Sequence, residues 1–232
     1  VKIIVRLLAS LIILISAAGF VAARDVPGLE ETVRKVQEVY ARQCCFRAAF
    51  NQLMVNVSMD LRDRFEGVLY VRTPGLIALD VKAPERQKVV IQGRSYTVYF
   101  PDEENATRGE IPPEMNVEHF FGFFASIGEM ERNFAVRFAP RAIDEAENLI
   151  FLELTDRKNQ QSTYQIMLGI DFDSYTIRRA IIYDALGNYN RFDLHDIVFL
   201  KSIPKEIFDA DPSRFQGMNA PRKTLQEEIG QK

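Results

Sequence analysis

The chain has 232 residues, 47% of them hydrophobic, with 29 Lys and Arg against 32 Asp and Glu, 12 Gly, 10 Pro and 2 Cys. This excludes intrinsic disorder, a collagen-like repeat and a disulfide-stapled miniprotein, and the length supports a core that stands without metals or crosslinks. A formal charge of -3 and an isoelectric point near 5.6 argue against a broadly basic nucleic-acid binder, because neutralising phosphates needs clustered cations.

Residues 1–23 read as a secretory signal peptide. Lys2 and Arg6 form a short positive region, Leu7 to Ile15 is apolar apart from Ser10, and Val21-Ala22-Ala23 fits cleavage before Arg24. An uncleaved anchor is the alternative, since Leu7 to Ala23 reaches the lower edge of a membrane span. Cleavage would remove Lys2 and Arg6 and no acid, shifting the formal charge from -3 to -5. Residues 24–215 are expected to form one domain and residues 216–232 a polar tail. An exported, soluble product follows from this reading.

Leu29, Val33, Val36, Val39 and Tyr40 recur with helical spacing, so a helix is expected over Leu29 to Arg42, with Glu30 and Glu31 in its first turn. From Cys44 the period becomes two: Phe46, Ala48 and Phe50 alternate with Cys45, Arg47 and Ala49. Adjacent Cys44 and Cys45 suit a disulfide poorly. Two strand residues on opposite faces are the simplest expectation; a strained redox-active pair and an intermolecular bridge are the alternatives.

Further strands are expected over Arg64–Arg72, Leu76–Lys82, Lys88–Gln92 and Tyr96–Phe100, with turns at Thr73-Pro74-Gly75 and Gly93-Arg94. Asp102 to Pro113 is polar and reads as a loop. Asn116 then offers an N-cap for a Phe-rich helix to about Ile127, and the strand period returns over Phe134–Phe138, Leu149–Leu154, Tyr164–Ile170, Ile177–Tyr183 and Tyr189–Val198. Short turns between consecutive strands imply antiparallel neighbours. The expected fold class is α+β: one domain, about ten antiparallel strands, and two or three helices.

The search for chemistry is nearly empty. His119 and His195 have no partners at metal-ligand spacing, and no nucleophile elbow or glycine-rich phosphate loop is present. Asp171-Phe172-Asp173 lacks the glycine and closing glutamate of a calcium loop. No catalytic residue, metal or cofactor is assigned. What remains is apolar excess: Phe120, Phe121, Phe123 and Phe124 crowd one helix, and Leu76 to Val81 is apolar on both faces. This fits a core buried on two sides, or a curved sheet enclosing an apolar cavity with the Phe helix as lid.

Phe50-Asn51-Gln52, then Gly67-x-Leu69-Tyr70-Val71-Arg72-Thr73-Pro74-Gly75-Leu76, Pro84-Glu85 and Gly93 through Tyr99-x-Pro101 together resemble the periplasmic outer-membrane lipoprotein carrier family (LolA-type). The resemblance implies an incomplete, half-open antiparallel β-barrel covered by the N-terminal helix and the Phe-rich lid helix. It implies a non-catalytic periplasmic chaperone of a Gram-negative bacterium, a monomer that binds acylated lipoproteins. An inner-membrane ABC-type release complex would load it and an outer-membrane lipoprotein receptor would unload it; nucleic acid has no part. By position, Phe50, Leu69, Val71, Ile77, Leu79 and Val98 would form the cavity wall, and Phe120, Phe121 and Phe124 the lid. Family members carry Arg directly before the Pro of the Thr73-Pro74-Gly75 turn, where it locks the lid. Here Thr73 holds that position, and Arg72 falls one residue early, so it is expected on the opposite face. A carrier of another lipid, an exported scaffold domain and, more remotely, an exported hydrolase are the other readings.

Overall fold

A computed structural model describes residues 27–110, 127, 130–144, 147–157 and 164–209. Its first element, α1 (Leu29–Ala41), buries Thr32, Val33, Val36 and Tyr40. The opposite side carries the exposed pairs Arg34–Glu38 at 2.7 Å and Lys35–Glu31 at 2.8 Å. A 13-residue helix is marginal alone, so the buried stripe rather than these exposed pairs makes α1 persist.

Among the described residues eleven strands follow: β1 (Cys45–Asn56), β2 (Leu61–Arg72), β3 (Leu76–Ala83), β4 (Gln87–Gln92), β5 (Ser95–Phe100) and β6 (Asn105–Glu110), then, after the one-turn helix α2 (Met130–Asn133), β7 (Phe134–Asp144), β8 (Leu149–Asp156), β9 (Gln165–Asp171), β10 (Ile177–Tyr183) and β11 (Tyr189–Leu200). They form one sheet in the order β6-β5-β4-β3-β2-β1-β11-β10-β9-β8-β7, each pair of neighbours antiparallel. The sheet is open, with β6 and β7 at its two edges. This is the α+β, incomplete-barrel architecture expected from the sequence.

Two glycines shape the first half. Gly67 sits where β2 and β3 shift register, and a Cβ there would lie 2.2 Å from the Asp80 carbonyl oxygen. Gly75 takes φ +70° in the β2–β3 turn, a conformation L side chains rarely adopt.

Three expectations need correction. The segment read as a loop from Asp102 contains β6, which pairs with β5 from Phe100↔Asn105 to Ser95↔Glu110. Its sequence, NATRGE, has no apolar alternation; backbone pairing to a neighbour overrides weak local preference. The chain after Pro204 is not wholly irregular, since Lys205–Phe208 forms a 3-10 turn. Cys44 and Cys45 are joined to each other in a disulfide, so the simplest reading of two separate strand residues does not hold.

Candidate functional site

Directly opposed residues of antiparallel strands share a face, so the register carries one inner surface across the sheet. One row runs Phe46, Val71, Ile77, Ile91, Tyr96; the next runs Ala48, Leu69, Leu79, Val89, Val98. On the other side of β1, Phe50 faces Leu194, and the surface continues through Phe192, Ala180, Leu168 and Leu152. All six residues expected on the cavity wall therefore lie on this inner face. Phe50, Leu69, Val71, Ile77 and Leu79 are buried, while Val98 is half-buried beside the similarly placed Val89 and Tyr96.

The buried stripe of α1 belongs to the same core. Tyr40 stands edge-on to Phe46 and Phe199, with ring centres 5.7 and 5.4 Å apart, and its hydroxyl accepts the Ile177 N–H at 3.0 Å. Burial pushes that phenol well above its ordinary pKa, only partly opposed by the Ile177 bond. Phe50 packs on Phe192 at 5.8 Å. The inner face is thus tightly filled beneath α1 and looser toward β4 and β5. Phe120, Phe121 and Phe124, expected in the lid, and His119 lie outside the described residues. Ile127, at the end of that expected helix, is buried in the inner core.

The lid-lock position falls at a junction. The Thr73 N–H and hydroxyl both donate to the Cys44 carbonyl oxygen, at 2.8 and 3.0 Å, tying the β2–β3 turn to the disulfide. Arg72 is on the opposite face, as the period requires, with its guanidinium 4.9 Å from the centre of the Phe208 ring. That contact belongs to a C-terminal strap across the outer face, in which Ile203 is buried and Ile207 half-buried. Lys88 secures the strap by donating to the Glu206 and Asp209 carbonyl oxygens at 3.1 and 2.7 Å. Desolvation holds the Lys88 pKa below its ordinary value, despite the charges of Asp80 and Asp209. His195 contributes no base to this site: it is on β11 with its Nε2 3.2 Å from the Asn51 amide nitrogen.

Two clefts escaped sequence reasoning. One, about 170 Å³, lies beneath the strap among Tyr70, Ala78, Lys88, Tyr99 and Ile207. The second, about 310 Å³, opens between the β1–β2 and β10–β11 hairpins among Met54, Met59, Leu61, Tyr164, Ile182 and Tyr189. The run Val57, Met59, Leu61 in a hairpin turn was the available signal, since turns favour polar residues.

A family model described as outer membrane lipoprotein carrier protein LolA matches residues 44–211. The outer-membrane lipoprotein carrier protein of Pseudomonas putida strain KT2440 is 22% identical over 205 residues, covering 88% of this chain and 92% of its own length. That of Pseudomonas entomophila strain L48 is 23% identical over 210 residues, covering 89% and 95%. A solved LolA superfamily structure from Nitrosomonas europaea aligns with a TM-score of 0.45 at 14% identity, covering 80% of this chain and 99% of its own.

Proposed function

The chain belongs to the outer membrane lipoprotein carrier protein LolA family, and from that premise we propose that it is a periplasmic chaperone that shields lipoprotein acyl chains on their way to the outer membrane. The observation that carries this reading is the continuous apolar inner face, curved under α1 and half-buried at Val89, Tyr96 and Val98. An acyl chain in water costs about 0.8 kcal/mol per CH₂, so a chain of about fifteen methylenes needs shelter worth on the order of 12 kcal/mol. A flexible apolar ligand asks for surface and volume rather than directional hydrogen bonds. In this reading Phe50, Leu69, Val71, Ile77, Leu79 and Val98 line the wall, and Phe120, Phe121 and Phe124 close over it. An inner-membrane ABC-type complex supplies the cargo and an outer-membrane receptor takes it by tighter acyl binding, so the carrier itself breaks no bond. Thr73, which stands where other members carry the locking arginine, instead fixes the turn to Cys44.

Native mass spectrometry of the exported chain, purified from periplasm without detergent, tests the reading. The expected result is a heterogeneous added mass that organic extraction removes and identifies as acylated material. If the chain is empty, a fluorescent fatty acid should bind it. Val98→Glu and Phe121→Glu should each abolish that binding and leave the circular dichroism spectrum unchanged. No binding of either cargo or probe by the folded chain would mean that its own side chains fill the interior, and the scaffold reading would replace this one.

A further inference from the structure

Of the seven large apolar side chains exposed among the described residues, five stand at one end of the molecule: Met54, Val57, Met59 and Leu61 on the β1–β2 hairpin and Leu186 in the β10–β11 turn. Met59 and Leu186 are 62% and 76% exposed. The two tips form one platform, because the Val57 N–H donates to Asn188 Oδ1 at 2.9 Å. Asp184 in turn fixes the second tip through the Leu186 and Asn188 N–H groups, each at 2.9 Å. The platform protrudes: β2 pairs with β3 only from Glu66 onward, so Leu61 to Phe65 run past the end of β3.

We propose that this hairpin platform is a bilayer-contacting surface, which touches down on a zwitterionic lipid interface. Concentrated exposed apolar area marks a contact site, and three features favour lipid over protein. The side chains are Met, Val and Leu, which enter a lipid interface without asking for a hydrogen-bond partner. They project outward as tips, a shape that enters a soft interface. Behind them Tyr164 and Tyr189 border the cleft, where amphipathic rings suit headgroup depth. The flanking charges alternate in sign, Asp60, Arg62, Asp63, Arg64, with Arg62 3.9 Å from Asp60. That pattern complements paired ammonium and phosphate headgroups, not a surface of one sign. Contact is therefore brief and weakly salt-dependent, as a shuttle between two membranes requires. The inference rests on the carrier reading, in which the chain meets its release complex and its receptor at the surfaces of their two membranes.

The chain contains no Trp, so Met59→Trp makes a single fluorescent reporter, and Val198→Trp is its control, exposed near the opposite end of β1. Vesicles of equal parts phosphatidylethanolamine and phosphatidylcholine should shift the Met59→Trp emission to the blue and leave that of Val198→Trp in place. Adding Leu61→Asp or Leu186→Asp should weaken vesicle partitioning about tenfold each. An unmoved Met59→Trp emission overturns the proposal, as does an equal shift at both reporters. So does a blue shift that grows with protein concentration without vesicles, which would assign the platform to a second copy. Fatty-acid probe binding, measured on the same variants, separates the two readings. Probe binding without the tip shift removes only the bilayer contact; a tip shift without probe binding removes only the carrier function.

Discussion

At Tyr40 a single phenol joins the helix to the far half of the sheet. Its ring packs on Phe46 and Phe199, and its oxygen takes up an amide at the start of β10. Tyr40→Phe would keep the ring contacts and leave the Ile177 N–H buried without that partner. We expect a loss of about 1–3 kcal/mol, read as a lower denaturant midpoint, with fatty-acid binding by the folded protein unaltered. The inward set Phe46, Ala48, Phe50 was legible in the sequence because a strand has only two faces and one of them here is apolar. The state of Cys44 and Cys45 was not, because periodicity says where side chains point and nothing about a bond between neighbours. Arg72 was half legible: its face followed from the period, whereas its partner Phe208 is far along the chain.

The β9–β10 turn shows how one element is held by a single carboxylate. Asp171 accepts the N–H groups of Asp173 and Ser174 at 3.1 and 2.8 Å and the Ser174 hydroxyl at 2.8 Å. Burial works against its charge, but these bonds and Arg178 outweigh it, so the carboxyl titrates below its ordinary range. A lowered folded pKa means that the turn is stabilised above the ordinary aspartate value, about 4. That contribution fades as pH falls through the lowered folded value. Denaturation at about pH 6 and about pH 2.5 should show wild type losing more stability on acidification than Asp171→Asn. Equal losses would remove Asp171 from the account. Strands with apolar alternation were legible in place but not always in length: β1 runs on to Asn56 and β7 to Asp144, well past Phe50 and Phe138 where the alternating pattern was read. β6 was not: an edge strand is made by its neighbour's free backbone groups, and its own side chains need carry no pattern.

For the whole molecule, strand order sets the gradient of stability. β1 and β2 are flanked on both sides, whereas among the described residues β6 and β7 each pair with one strand. Native-state hydrogen exchange should therefore be slowest in β1, β2 and β11 and fastest in β6 and β7. Uniform protection across the sheet would contradict the open architecture. That the fold was an antiparallel meander could be read from its short turns; that it stays open came from the family resemblance. The pairing of β1 with β11 had no local signal, because its partners, from Val55↔Tyr189 to Cys45↔Leu200, come from the first and the last strands of the sequence.

The seam between β1 and β11 has a consequence for how the protein is made. It joins two meanders, β1 to β6 and β7 to β11, and among the described residues the seam is where their strands pair with each other. A chain emerging N-terminus first completes one flank of β1 early, when β2 arrives. The other flank waits for one of the last segments to be delivered. Throughout that interval β1 is an open template for stray strands. Until β11 arrives, the newborn protein is therefore at its most exposed to misassociation.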